Sequence, residues 1–327
     1  MAGVSPAAVS IAINGRDGIS DETRTRILAI ARQQHYIPGA NAQRILQKRS
    51  RYIAILFRTD ALLGNQIFYS EIAINAMAAC QAYSYTLIPT FVTGEPGAIV
   101  LPQPIVNGDV DGVLVCGDQE PGIYTELRQL GIPYVILDSS RHEDPHPAVF
   151  VDYAEAAYQA ARHLLELGHR DIAYLSNGAL HDFNSLTLSG FQRATGEAGI
   201  SLYPNRFQID LHDERSVARC VDQALAGPVR PTAILCTVDI YAINIMRYLH
   251  TCGLRVPEDI SVIGIDDVQM SKFVIPSLTT MHVDRKQMLA IALEMLTTMI
   301  DGGACENRML PVPELICRES TSAPVGI

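Results

Sequence analysis

Three aspartates follow apolar runs of the kind that form buried strands, where a carboxylate can bind the hydroxyls of a ligand. They are Asp138, Asp239 and Asp266. Ligands of parallel sheets lie beyond the carboxyl ends of the strands, and an ionised carboxylate accepts hydrogen bonds from two neighbouring hydroxyls. Such aspartates also cap the helix that follows a strand, and we favour this alternative for Asp239. The residues alone leave both roles open for Asp138 and Asp266.

A helical hairpin is predicted near the N-terminus. Ser5 can cap a helix that begins at Pro6, and Ser20 can cap a second one. Val9 and Ile13 lie four residues apart and are expected to face a core. A helix that enters the major groove of DNA presents its N-terminal half to base edges, whereas an ordinary hairpin leaves the same face solvated. The residues predicted to face outward are Pro6, Ala7, Ser10 and Ile11.

The charge is distributed unevenly along the chain. Residues 1–51 contain eight Lys and Arg against three Asp and Glu, whereas the full chain contains 25 against 35. The first part therefore carries +5 and the remainder −15. A basic head on an acidic body is typical of a head that binds a polyanion, although a solvated helical surface has the same charge.

The composition argues against several classes of protein. The 327 residues predict two or three domains at about 100–200 residues each. No apolar run is long enough for a transmembrane helix, and the first residues lack the basic and apolar regions of a secretory signal. The seven cysteines form no CxxC pair, which argues against a disulfide framework or structural zinc. We expect a cytoplasmic protein without a cofactor.

Apolar runs alternate with amphipathic stretches after residue 51. Buried parallel strands have such runs because helices cover both faces of their sheet, and repeated alternation is typical of doubly wound α/β folds. The body is too long for one such unit, so we predict two lobes. The predicted strands are Tyr52–Phe57, Tyr85–Ile88, Gly112–Cys116, Tyr134–Leu137, Ala148–Val151, Ile172–Leu175, Ala233–Cys236 and Ser261–Ile265. The predicted helices are Phe68–Gln81, Glu155–Leu167, Leu186–Ala198, Ser216–Ala226, Tyr241–Cys252 and Lys286–Ile300.

Several longer motifs extend from the head to the C-terminus. They are GVSPAAVSIAING with ISDETRTRI in the head, LGH at 167–169, GLRVPEDISVIGIDD at 253–267, PSLTT at 276–280, PEL at 313–315 and REST at 318–321. Together they resemble the lactose-repressor (LacI/GalR) family of bacterial transcription regulators. The resemblance implies a helix-turn-helix head and two lobes of the periplasmic-binding-protein type with a small-molecule effector between them. It also implies a homodimer that binds double-stranded operator DNA.

The resemblance divides the chain into four parts. These are a partial helix-turn-helix head, a hinge helix with its linker, an N-terminal effector-binding lobe and a C-terminal effector-binding lobe. The head is residues 1–39, and the hinge helix with its linker is residues 40–51. The N-terminal lobe is residues 52–150 plus 284–309, and the C-terminal lobe is residues 151–283 plus 310–327.

The segment from Pro38 to Ile45 resembles the hinge helix of the family. Paired hinge helices enter the minor groove, where an apolar side chain separates a base step. Ile45 matches that position, which is usually Leu. A helix this short is marginal in water, so it needs DNA and the partner subunit and is otherwise a disordered linker. The DNA-contacting residues that the resemblance implies are Ser5, Pro6, Ala7, Ser10, Ile11, Asn14, Tyr36, Asn41, Ala42 and Ile45.

The resemblance also implies an effector site. It favours ligand contact for Asp138 and Asp266, and it adds aromatic positions that can stack on a sugar, although for Tyr69 a core position is favoured. Thr187 stands where the family usually has Arg, and Val238 where it has Asn. The effector, sugar-like or related, is therefore expected to be less hydroxylated than a simple hexose. The predicted effector contacts are Phe68, Tyr69, Asp138, Phe150, Thr187, Val238, Asp239 and Asp266.

The head departs from the family in two ways. The family has a further helix before the segment that begins at Gly3, and Met1 stands where that helix would end. We expect either that Met1 is an internal methionine or that the head is truncated. Ala8 and Ile11 stand where Thr and Arg are usual. Because one base contact contributes about 1–3 kcal/mol of discrimination, the preference for DNA sequence should be atypical.

We predict a ligand-responsive transcription repressor and not an enzyme. The sequence contains no GxSxG, P-loop, HExxH or GxGxxG motif, and the pair His181-Asp182 is expected in a solvated loop. Effector binding between the lobes is expected to change how two hinge helices meet on DNA, which is an allosteric coupling. The alternative is a truncated small-molecule-binding protein without specific DNA binding.

Overall fold

The chain folds into two compact units, Met1–Ser50 and Arg51–Ile327, each of which is described by itself. Five predicted DNA contacts lie outside the described residues: Asn14, Tyr36, Asn41, Ala42 and Ile45. The computed structural model describes residues 4–13, 17–33, 49–58, 66–93, 99–140, 147–177, 181–201, 203–227 and 229–325.

Two helices form the described part of the first unit, α1 (Pro6–Ile13) and α2 (Asp21–Gln33). The Ser5 hydroxyl oxygen accepts a hydrogen bond from the backbone amide three residues later at 3.2 Å. The Ser20 oxygen accepts the equivalent bond at 3.3 Å. Both N-caps predicted from the sequence are confirmed, because each oxygen satisfies one of the free amides of the first turn.

The contact between α1 and α2 centres on small and branched apolar side chains. Ala12 and Ile27 are each only 3% exposed. Val9, predicted to face the core, is only half-buried, and so is Ile11, which was predicted to face outward. Both residues therefore lie at the margin of the face that Ala12 turns towards α2, and the predicted directions of their side chains stay predictions. Ala7 is exposed as predicted.

The second unit alternates strands and helices. In chain order its elements are β1 (Tyr52–Arg58), α3 (Gln66–Ala82), β2 (Thr86–Val92), α4 (Gln103–Val106), β3 (Gly112–Cys116), α5 (Pro121–Gln129), β4 (Tyr134–Ser139), β5 (Ala148–Phe150), α6 (Tyr153–Glu166), β6 (Ile172–Ser176), α7 (His181–Glu197), β7 (Phe207–Ile209), α8 (Glu214–Leu225), β8 (Ala233–Cys236), α9 (Asp239–Thr251), β9 (Ser261–Asp266), β10 (Thr279–His282), α10 (Arg285–Ile300), β11 (Arg308–Met309) and β12 (Glu314–Ile316). Short 3-10 turns cover Pro204–Arg206 and Gln269–Lys272.

The strands form two six-stranded sheets, which confirms the predicted α/β fold. One sheet has the order β11-β5-β4-β3-β1-β2 and the other β12-β10-β9-β8-β6-β7. All pairs are parallel except β10 with β12. Strands such as β3 and β8 are buried along their whole length, since helices cover both faces.

We call the first sheet and its helices the first lobe, and the second sheet and its helices the second lobe. α10 packs on α3, β3, β4 and β5, and α6 packs on α7 and on strands of the second sheet. The chain passes between the lobes three times, after β5, after β10 and after β11. The domain boundaries given above stay a prediction.

The prediction for His181-Asp182 was wrong. The two residues form the first turn of α7, where Asp182 lies near the positive end of the helix dipole, and not a loop.

Candidate effector-binding site

Asp138 lies near the end of β4 and joins the two lobes. Its backbone has a φ of 61°, a left-handed conformation that is uncommon for a residue with a side chain. The Tyr153 hydroxyl, at the start of α6 in the second lobe, donates a hydrogen bond to the Asp138 carboxylate. Tyr153 is itself held by an edge contact with Phe183, with ring centroids 4.7 Å apart. The first predicted ligand carboxylate is therefore engaged across the lobes.

The pKa of the Asp138 carboxyl is shifted towards neutrality. Burial is the largest cause and raises the pKa to about 7, against the opposing effect of the Tyr153 hydrogen bond. The charge of Asp118 raises it further, and Arg285 lowers it. Near pH 7 the Asp138 carboxyl is thus ionised in some molecules, where it only accepts hydrogen bonds. It is neutral in others, where it can also donate one.

Asp118 organises the segment around Asp138, and the sequence reasoning missed it. Its carboxylate accepts hydrogen bonds from the Ser139 hydroxyl at 2.7 Å and from the Ser140 amide and hydroxyl at 3.0 and 2.6 Å. Asp118 lies two residues beyond β3, so the strand-end signal that selected the other aspartates could also have found this residue.

Asp239 holds the second lobe together and does not cap its helix. α9 begins at Asp239 after an N-cap at Val238 that makes no side-chain cap bond, so the favoured alternative was wrong. The fully buried carboxylate instead accepts bonds from the Thr280 hydroxyl at 2.6 Å, the Ser271 hydroxyl at 2.7 Å and the Val268 amide at 3.1 Å. These donors lie on β10 and on the segment after β9, so Asp239 fixes the end of β9.

Asp266 ends β9 beside Asp239. It is 5% exposed, with a φ of 126°. Burial raises the pKa of Asp266 well above the usual value of a carboxyl group, and the neighbouring charge of Asp239 raises it further. Asp138 acts on it in the same direction, while Arg285 opposes the shift. Asp138, Asp239 and Asp266 therefore belong to one electrostatic cluster in which each additional negative charge is unfavourable.

Asp267, the next residue, makes contacts with other residues than Asp266 does. Its φ is 53°, and its carboxylate forms an ion pair with Arg318 and a 3.0 Å contact with His282 Nδ1. Burial alone would raise the pKa of Asp267, but Arg318 and His282 lower it below its usual value. Asp267 thus anchors the loop after β9.

The other predicted effector contacts offer few polar groups. Tyr69 is half-buried against Phe57, with ring centroids 5.6 Å apart, and Phe150 is 5% exposed in the core of the first lobe. Thr187 is fully buried, donates to the Phe183 carbonyl at 2.9 Å and shares a 2.7 Å hydrogen bond with the Tyr174 hydroxyl. Val238 is 5% exposed and Phe68 lies in α3, where its side chain is outside the described part.

Two further charged residues, Glu71 and Arg285, were missed by the sequence reasoning. Glu71 lies on α3 and Arg285 begins α10, and they form an ion pair of 3.2 Å. Neither follows an apolar run or belongs to a motif, so no local signal marks them. Within the described residues, no group of three His, Cys, Asp or Glu side chains is placed to hold a metal ion, and no helix has the length and apolar composition to cross a membrane.

Two family models match the chain. Residues 1–39 match the model described as bacterial regulatory proteins, lacI family. Residues 161–321 match the model described as a periplasmic binding protein-like domain. The first match includes the two described helices of the first unit. The second runs from within α6 to beyond β12, and it therefore also includes α10 and β11 of the first lobe.

Relatives match over nearly the whole chain. The HTH-type transcriptional repressor PurR of Erwinia tasmaniensis is 32% identical over 98% of this chain and 94% of its own length. The ribose operon repressor of Haemophilus influenzae is 28% identical over 98% and 96%. The lac repressor dimer bound to operator and the anti-inducer ONPF has a TM-score of 0.83 at 24% identity over 98% and 97%, which shows the fold alone. The chain belongs to the lacI family of bacterial regulatory proteins, and it is a ligand-responsive DNA-binding transcription regulator.

Proposed function

We propose that this regulator is a repressor whose homodimer binds operator DNA and releases or tightens it when a small molecule binds between the lobes. The observation that carries the proposal is the 32% sequence identity to the PurR repressor of Erwinia tasmaniensis. The alignment covers 98% of the chain and so includes both the head and the body. The net charge of +5 on residues 1–51 supports a polyanion as the partner of the head.

We assign DNA contact to the N-terminal half of α1 and to the hinge segment. Ala7 is exposed on the first turns of α1, as a base-reading position must be. The Ser5 cap fixes where α1 begins and so fixes the register of the residues that follow. The full proposed set is Ser5, Pro6, Ala7, Ser10, Ile11, Asn14, Tyr36, Asn41, Ala42 and Ile45.

We assign effector contact to Asp138 and Asp266. The charge of Asp138 acts on the carboxyl of Asp266. Asp138 belongs to the first lobe and Asp266 to the second, so a ligand that forms hydrogen bonds with both would bridge the two lobes. Arg285, the cation beside them, already bonds Glu71 and two backbone carbonyls. The proposed ligand is a small molecule that is sugar-like or related. The full proposed set is Phe68, Tyr69, Asp138, Phe150, Thr187, Val238, Asp239 and Asp266.

The proposed ligand is also less hydroxylated than a simple hexose. The Thr187 hydroxyl is buried and bonded within its own lobe, and Val238 is apolar. Two positions that would contribute polar contacts in the family thus contribute none here. A panel of hexoses that bound tightly in a thermal-shift assay would contradict this assignment.

The regulator is placed in the cytoplasm, where operator DNA is found, and is not assigned an enzymatic activity. The support for both is that the relatives reported above are named as repressors. If chromatography showed that the protein converts a bound ligand into a product, the protein would have to be assigned an enzymatic activity.

The test is fluorescence anisotropy with DNA from the region upstream of the gene. We would compare the 327-residue chain with a version extended upstream by one helix, at about 0.1 M salt because phosphate-driven affinity falls steeply with salt. A scrambled duplex of equal length is the control. Specific binding of the upstream duplex by either chain supports the repressor. If neither chain prefers the upstream duplex, the proposal fails and a small-molecule-binding protein without specific DNA binding replaces it.

A further inference from the structure

Glu71 of the first lobe holds the backbone of the second lobe. One of its carboxylate oxygens accepts a hydrogen bond of 2.8 Å from the backbone amide of Gln269, in the 3-10 turn after β9. The Gln269 side chain is exposed and takes no part in this bond. The backbone amide of Gln269 therefore connects this turn of the second lobe to α3 of the first lobe.

Arg285 joins the same contact from the start of α10. Its guanidinium is 7% exposed and lies 3.2 Å from the second carboxylate oxygen of Glu71. It also donates to the Asp266 carbonyl at 2.7 Å and to the Asp267 carbonyl at 3.0 Å. Arg285 thus holds the two peptide groups that carry the candidate ligand carboxylate of Asp266 and the anchor of Asp267.

These two peptide groups need such support. Asp266 and Asp267 have φ values of 126° and 53°, which are unfavourable for residues with a side chain. Strained conformations of this kind persist only where surrounding contacts hold them. The bonds from Arg285 supply those contacts, and they set the direction in which the Asp266 carboxylate leaves the strand.

We propose that Glu71 and Arg285 are positioning residues, which latch residues 266–269 to the first lobe and hold the lobes closed before any effector arrives. The inference rests on the proposed effector role of Asp266, and it adds the regulation of that site. An effector then meets a closed site with its carboxylate already oriented. Ligand binding and release both require the latch to open, so the latch sets part of the balance between the lobe positions.

Removal of Arg285 is a poor test, because it would leave Glu71 as an unpaired, largely buried charge and could unfold the protein. Gln269→Pro deletes only the backbone donor. Val268 already has φ −61° and ψ 151°, which suits a residue that precedes proline. Gln269 is the first residue of its turn, where proline is tolerated. Gln269→Ala is the matched control, because it removes the side chain and keeps the amide.

The experiment uses the full chain without DNA or effector. Hydrogen exchange by mass spectrometry follows residues 266–274, and small-angle X-ray scattering gives the radius of gyration. We expect Gln269→Pro to raise exchange in this segment at least about tenfold, as for loss of a hydrogen bond to a charged group, and to increase the radius of gyration. Gln269→Ala should match the wild type in both measurements.

Glu71→Gln gives a second route if the proline variant does not unfold cooperatively. It keeps the shape and one acceptor oxygen, and Arg285 keeps its two carbonyl acceptors, so its charge is not left without partners. Because the charge of Glu71 is removed, exchange of the Gln269 amide should accelerate by about tenfold. Glu166→Gln, in the surface pair with Arg162, is its control. Wild-type exchange and radius in a cooperatively folding variant would overturn the latch. Because no DNA or effector is present, failure of operator binding would remove the repressor proposal without changing this result.

Discussion

A carboxyl group with a pKa of about 7 makes Asp138 a pH-sensitive residue. Its pKa in the folded state lies above its ordinary value of 3.8, so between these values the folded protein retains a proton that the unfolded chain has lost. Its stabilising contribution is present at low pH and is lost as the pH rises towards 7. Asp138→Asn, which can still accept from Tyr153, should flatten the fall in the free energy of unfolding between about pH 4 and 7, by at most about 1.4 kcal/mol per pH unit.

Urea unfolding at several pH values checks this prediction. Glu294→Gln, on the exposed face of α10, is the control and should keep the pH profile of the wild type. Part of the slope should remain in Asp138→Asn, because burial also raises the pKa of Asp239 and Asp266. A profile identical to that of the wild type would show that the carboxyl of Asp138 is not perturbed by burial.

Asp239 should be required for the fold and not only for a ligand. Asp239→Ala leaves the Thr280 and Ser271 hydroxyls and the Val268 amide without their acceptor in a buried site. We expect a loss of about 3 kcal/mol or more in the free energy of unfolding. Asp222→Ala, which removes an exposed bond to Tyr248, should cost less than about 1 kcal/mol. Equal losses in the two variants, measured by urea unfolding, would contradict the structural role.

The sequence found part of this site and missed the rest for a physical reason. Asp138 and Asp266 were selected because each follows an apolar strand, and ligands lie beyond the carboxyl ends of such strands. Their contact with an effector stays a prediction. Glu71 and Arg285 are 214 residues apart in the chain, and only the three-dimensional fold brings them together. Tyr153 gave no signal either, since an aromatic residue at the start of a helix is as typical of a core as of a site.

At the scale of elements, the packing of α6 on α7 depends on Gly190. A methyl group at this position would lie 1.9 Å from the carbonyl oxygen of Ala154, and this backbone atom cannot move alone. Gly190→Ala should therefore displace the helix pair and lower the free energy of unfolding by more than about 2 kcal/mol. Gly196→Ala, in the same helix with open space around it, should be neutral or stabilise by up to about 1 kcal/mol. Thermal unfolding that ranked the two variants in the opposite order would contradict this packing.

The elements themselves were predicted well where apolar runs are continuous. β3 and β8 have the bounds that were expected, because every residue in them is buried and apolar or glycine. β10 was missed because its sequence TTMH contains polar residues, although Thr279 and Thr280 are fully buried and hydrogen-bonded. The edge strands β7, β11 and β12 are only two or three residues long. Their apolar residues are too few to distinguish them from a loop.

At the scale of the whole molecule, the proposed coupling between effector and DNA must be reciprocal. If a ligand changes the affinity of the protein for operator DNA, operator DNA must change the affinity for that ligand by the same factor. This factor is typically about 5–150-fold. Isothermal titration of a ligand identified by thermal shift, with and without operator, gives one factor. Anisotropy of the operator with and without that ligand gives the other. Equal ligand affinity in the presence and absence of operator would show that the two sites are independent.

The three passages of the chain between the lobes mean that no single cut in the gene separates one lobe from the other. α10 and β11, which complete the first lobe, are translated after nearly all of the second. Until residues 285–300 leave the ribosome, the face of β3 at Gly112 lacks Leu296, the side chain that covers it. The lobe whose synthesis starts first therefore stays incomplete while nearly all of the second lobe is made, and the nascent chain carries its uncovered sheet until translation is almost over.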